Sequence, residues 1–60
     1  MLKIMIVDDA QFLRLRIANF LIEQGYQILE AEDGEQAVET YRLADPDAVL
    51  GSVDISILAK

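Results

Sequence analysis

The sequence has no cysteine, no histidine and no tryptophan, and it has a single proline. Without cysteine or histidine the chain can form neither a disulfide framework nor the zinc clusters those residues build, so nothing of that kind staples it. No apolar run approaches the roughly 18 residues a helix needs to cross a bilayer, so no membrane partner is expected. Positive charge is scarce as well, with five Lys+Arg against eleven Asp+Glu and a formal net charge of −6. Nucleic acid attracts basic stripes through counterion release and repels a chain whose pI is near 4.2, so no nucleic-acid partner is expected either. Met1-Leu2-Lys3 leads into a short apolar run that ends in two aspartates. That pattern does not read as a cleaved signal segment, and the expected compartment is the cytoplasm.

What is present is apolar: 53% of the 60 residues are hydrophobic, in a chain long enough for one small domain at most. A chain of this size buries only about 60% of the surface its unfolded form exposes. Its surplus apolar surface is therefore expected to be covered by a partner.

Leu2 to Val7 is a nearly continuous, β-branched-rich run, the pattern of a strand buried on both faces. From Ala10 to Gln24 the apolar positions Leu13, Ile17, Phe20 and Leu21 recur at three- and four-residue spacing, and Gly25 follows where a helix stop is expected. Tyr26 to Ala31 reads as a less buried strand at a sheet edge. Asp33-Gly34-Glu35-Gln36 is a capping-box variant that opens a second helix, which Asp45-Pro46 closes. Ala48 to Leu50 starts a third strand. Strand, helix, strand, helix, strand with short connections predicts βαβ units, hence an α/β fold with a parallel three-stranded sheet in the order 2-1-3. Beyond Leu50, Val49, Gly51, Val53, Ile55, Ile57 and Ala59 share one parity. That period-2 alternation suits a half-exposed antiparallel strand.

Asp8 and Asp9 follow the central strand directly, at the carboxyl end where open α/β sheets bind their ligands. Two crowded carboxylates suit Mg²⁺, which takes one or two such ligands and keeps several waters. The plainer reading is that one aspartate caps the first helix and the other is solvated.

The strand ending Ile4-Met5-Ile6-Val7-Asp8-Asp9, the helix carrying Arg14, Gly25-Tyr26, Ala31-Glu32-Asp33-Gly34-Glu35-Gln36-Ala37 and Pro46-Asp47-Ala48-Val49-Leu50 agree with one family in order and spacing. Residues 1–50 closely resemble the amino-terminal half of a response-regulator receiver domain of two-component signalling. The resemblance implies half of a flavodoxin-like fold, Asp8 and Asp9 as the Mg²⁺ residues, and a histidine kinase as phosphodonor. The family's phosphoacceptor aspartate ends the third strand, a position that falls on Ser52. A serine hydroxyl is a poor nucleophile without a base to activate it, and no histidine is available, so Ser52 is expected to be inactive and the chain is expected not to be an enzyme. The lost anionic ligand also makes any Mg²⁺ site weak. Asp54 lies two residues further along, about 6.6 Å in an extended strand, and is the alternative, displaced acceptor.

The family's hydroxyl and lysine residues, on its fourth and fifth strands, have no match here, and residues 51–60 read as a tail unlike the family, extending the third strand. The expected assembly is a homodimer or higher even oligomer that completes the half-fold. Its interface is expected to use Val49, Val53, Ile55 and Ile57 together with Phe12, Leu15 and Ile22 of the first helix. A nucleotide- or flavin-binding half-sheet is a further reading, but no glycine-rich phosphate loop follows the first strand.

Overall fold

The computed structural model describes residues 1–51. Along them run β1 (Lys3–Val7), α1 (Gln11–Glu23), β2 (Gln27–Ala31), α2 (Gly34–Ala44) and β3 (Ala48–Gly51). The three strands form one parallel sheet in the order β2-β1-β3, so the fold is the expected βαβαβ half of a flavodoxin-like architecture. Lys3 to Val7 pair in register with Gln27 to Ala31 on one side, and Ile4 to Val7 with Ala48 to Gly51 on the other. The hydrophobic β1 thus takes the middle, as burial on both faces requires, with β2 and β3 on either side of it. Ser52, Val53, Asp54, Ile55 and Ile57 lie outside the described residues, as does the expected extension of β3 to about Ala59.

Each helix stops where local chemistry dictates. α1 ends in a Schellman motif, with Gly25 N–H donating to the Ile22 carbonyl at 3.0 Å and Tyr26 N–H to the Leu21 carbonyl at 3.2 Å. Gly25 takes φ +95°, a region where a side chain would be strained. Asp33 caps α2, its Oδ1 accepting the Gln36 N–H at 2.8 Å, while Gln36 Oε1 accepts the N–H of Glu32 at 3.1 Å. The reciprocal bond of the capping box therefore lands one residue ahead of the cap. At the other end Asp45, before Pro46, leaves the right-handed helical region for the left-handed one at φ 48°, a conformation aspartate tolerates.

The sheet separates two apolar layers. On one face Met5, Val7 and Ala31 pack with Ala37 of α2, flanked by Leu29, Tyr41 and Val49. Val49, expected at an intermolecular interface, is half-buried in this layer, because its parity on β3 points it where Met5 and Val7 point. On the other face lies α1, and here the structure departs from the sequence reading. The residues of α1 that are buried are Arg14 and Ala18, with Ile17 and Leu21 half-buried, whereas Leu13 and Phe20 of the expected core stripe are exposed. At about 100° per residue, Leu13 and Phe20 fall on one flank of the buried line and Leu15 and Ile22 on the other, with Phe12 facing outward. All five are exposed. Leu13, Arg16, Ile17, Phe20 and Leu21 line an open groove of about 400 Å³ that runs to Leu50 of β3. No described element covers it.

Candidate functional site at the carboxyl end of the central strand

At the end of β1, Val7 is paired to Gly51 of β3, and a depression of about 340 Å³ there is lined by Ile6, Val7, Asp8, Ile17, Leu50 and Gly51. Asp8, the first residue beyond β1, is held at every backbone group. Its N–H donates to the Ala31 carbonyl at 3.0 Å, prolonging the β1–β2 ladder by one bond. The Asp8 carbonyl accepts from Arg14 Nη1 at 2.6 Å. Its side-chain Oδ1 accepts the Ala10 N–H at 2.8 Å, closing an Asx turn just ahead of α1. The residue is 6% exposed. Asp9, next along, is exposed.

The N-cap of α1 is Ala10, which has no side chain to cap with, so neither aspartate occupies the cap position itself. Asp8 is committed through one carboxylate oxygen, and no described residue donates to its Oδ2. Among the described residues, no three His, Cys, Asp or Glu gather as a metal-holding group. Two adjacent carboxylates, one anchored with an oxygen to spare and one open to water, nevertheless fit Mg²⁺, which binds through one or two carboxylates and keeps much of its water.

Arg14 is the residue beside this site whose placement the sequence reading did not anticipate. It is 9% exposed and joins α1 to the end of β1 and to β2, donating from Nη1 to the Asp8 carbonyl and from Nε to Glu30 Oε1 at 3.0 Å. A signal existed. Arg14 stands in the first turn of α1, where a cation opposes the helix dipole and a long side chain points back toward the helix start. Glu30 shares the parity of Ile28, the α1 side of β2, which puts a carboxylate within reach of a cation on that helix.

The match to known proteins agrees with this geometry. Residues 4–58 match the family model of the response regulator receiver domain. The chain belongs to the receiver-domain family. It is 45% identical over 56 residues to the chemotaxis protein CheY of Bacillus subtilis, an alignment that covers 92% of this chain and 45% of that protein. It is 43% identical over 61 residues to protein CcdB of the same organism, covering 100% of this chain and 49% of the relative. CheY of Thermotoga maritima is 38% identical over 56 residues, covering 92% of the chain and 45% of that protein. The chain thus spans about half the length of the curated relatives it matches. No solved structure gives a significant match. The receiver match runs on to residue 58, past residue 50, where the motif-by-motif resemblance ends. Intact receivers bind Mg²⁺. No helix among the described residues is long and apolar enough to cross a membrane.

Proposed function

We propose that this receiver half binds Mg²⁺ weakly through Asp8 and Asp9, does not accept a phosphoryl group, and completes its fold by pairing with a second copy of itself. The observation that carries the reading is the uncovered groove between α1 and β3, in which Phe20 is 60% and Leu50 47% exposed. Apolar side chains of that size, contiguous along one face of a small domain, mark an interaction surface. β3 supplies the second half of the argument. It is an edge strand paired only to β1 among the described residues, and an edge of this kind is a template for another chain. A two-fold axis perpendicular to the sheet sets the two β3 edges antiparallel, which agrees with the period-2 alternation of the sequence from Val49 onward. Light scattering of the full chain is expected to give an even multiple of 6.7 kDa. A folded monomer whose mass does not change with concentration overturns the pairing.

A bound Mg²⁺ would supply positive charge that offsets the two carboxylates and attracts phosphoryl oxygens. Because position 52 is serine, the third anionic ligand of the family's motif is missing, and binding is expected to saturate only well above micromolar Mg²⁺. Amide chemical shifts of Asp8 and Asp9 followed during a titration measure this. Ser52→Asp is expected to tighten binding, and saturation of the unsubstituted chain at micromolar Mg²⁺ would count against the weak site.

A second reading is a residual phosphorelay receiver that takes its phosphoryl group from a histidine kinase at a displaced acceptor, Asp54. The extension of the family match across that residue favours it. Incubation with acetyl phosphate and Mg²⁺ separates the two readings by intact-mass spectrometry. No adduct is expected, since Ser52 has no base to activate it. A phosphate-sized adduct mapped to Asp54 decides for the second reading.

A further inference from the structure

We infer that Arg14 is a positioning residue for the acidic pair, acting on cation binding through the backbone of Asp8; this rests on the proposed Mg²⁺ site. Its guanidinium donates to the Asp8 carbonyl oxygen at 2.6 Å and to neither site carboxylate. That carbonyl belongs to the peptide joining Asp8 to Asp9, so the bond orients the peptide plane from which the second carboxylate departs. The Ala31 carbonyl holds the other side of Asp8 through its N–H, and Ala10 holds Oδ1. With these three points fixed, Asp8 Oδ2 and the Asp9 side chain are what is left to meet a cation.

Glu30 gives the arrangement its electrical sense. A cation beside a cation site repels the incoming ion. Glu30 Oε1 accepts from Arg14 Nε at 3.0 Å and offsets the guanidinium charge, so the arginine can hold the peptide through Nη1 with less opposition to a divalent ion. The Arg14 side chain is only 11% exposed against 36% for Glu30, so the guanidinium has lost most of its water and depends on these two partners. A lysine there keeps the charge but lacks the fork that reaches both oxygens at once.

Charge and position predict opposite results, which makes the inference testable. If Arg14 acted by charge alone, removing it would tighten Mg²⁺ binding. As a positioning residue, its replacement in Arg14→Gln is expected to weaken Mg²⁺ binding about tenfold, the lower end of what losing an orienting partner of a metal ligand costs. Arg14→Lys is expected to weaken it as well, although the charge stays. The titration uses Mg²⁺ alone, read at the amides of Asp8, Asp9 and Ala10. Lys3→Gln serves as the control. It removes the Lys3 Nζ bond to the Ala44 carbonyl, 2.7 Å, at the far end of the sheet, and is expected to lower stability while leaving Mg²⁺ affinity unchanged. A second readout needs no metal: in both Arg14 variants the Asp8 carbonyl carbon shift is expected to move and the Ala10 amide to lose protection from hydrogen exchange. Mg²⁺ binding by Arg14→Gln as tight as that of the unsubstituted chain, or tighter, overturns the inference. So does an unchanged Asp8 carbonyl shift together with unchanged Ala10 protection. If the unsubstituted chain shows no Mg²⁺-dependent shift at all, the cation reading falls, and the metal-free readout alone decides whether Arg14 positions Asp8.

Discussion

Leu50→Lys is expected to bring the mass in solution down to the 6.7 kDa of a single chain and to unfold that chain as it dissociates. Within one chain the substitution touches little. Leu50 is nearly half exposed on an edge strand, and a lysine there could lay its methylenes over Ile17 and carry its ammonium into water. A self-sufficient monomer would lose little from such a change. In a pair joined along β3, the same ammonium is driven into an apolar seam with no carboxylate among the groove residues to meet it. An unpaired charge in such a place costs several kcal/mol. Unfolding follows because the buried apolar set is thin: among the described residues, beyond Ile4, Met5, Ile6 and Val7 of β1 it consists of Ala18, Ala31 and Ala37. Where the folded state requires its partner, stability becomes inseparable from concentration. A Leu50→Lys chain that stays folded at unchanged mass removes β3 from the interface.

The structure also changes which residues such a seam would cover. Phe12, Leu15 and Ile22 are exposed as anticipated, but they do not line the groove beside β3; Leu13, Phe20 and Leu50 do. The difference comes from how α1 sits. A helix read by hydrophobic periodicity alone is turned so that its apolar stripe meets the sheet. Here the Arg14 side chain, joined to Asp8 and Glu30, turns the line of Arg14, Ala18 and Leu21 inward instead and moves Leu13 and Phe20 to the flank. Tertiary hydrogen bonds override a stripe that is ambiguous because the helix is apolar on several sides.

Elsewhere the fold was legible because its signals were local or strongly periodic. Four consecutive apolar residues, Ile4 to Val7, running into Asp8-Asp9 identified the central strand, Gly25 and Pro46 bounded the helices, and Asp33 with Gln36 marked a helix start. Right-handed crossovers then left few ways to order three strands. The place of Asp8 and Asp9 at the end of the central strand was legible for the same reason, since chain order alone gives the strand end. Arg14 was not, because its role depends on a carboxylate 16 residues away on another strand. The local signal, a cation in the first turn of α1, is weak by itself and gains meaning only when Glu30 of β2 is brought beside it.

Met5→Ala is expected to be the most damaging single truncation of the core. Met5 sits at the middle of the central strand, fully buried, paired in register with Leu29 on one side and Val49 on the other, and packed in the same cluster as Ala37 of α2. Its neighbours cannot close over the space it leaves, because both strands are tied to β1 by their ladders and the nearest helical residue is already an alanine. Truncating a buried Met to Ala costs about 2–5 kcal/mol. At roughly 0.05–0.15 kcal/mol per residue, a chain of this length has a total stability of about 3–9 kcal/mol, so the loss takes most of it or all of it. Far-ultraviolet circular dichroism at 25 °C is expected to show a largely unfolded Met5→Ala chain. Leu43→Ala, at an 82% exposed site on α2, is expected to keep its helix signal and change stability by no more than about 0.5 kcal/mol. Raising the protein concentration separates the two sources of stability. If the second copy supplies the missing core, the thermal midpoint of Met5→Ala rises with concentration, because mass action favours the paired, folded state over the unfolded chain. A Met5→Ala midpoint that is low but independent of concentration would place all the stability within one chain and refute the pairing, while leaving the core assignment intact.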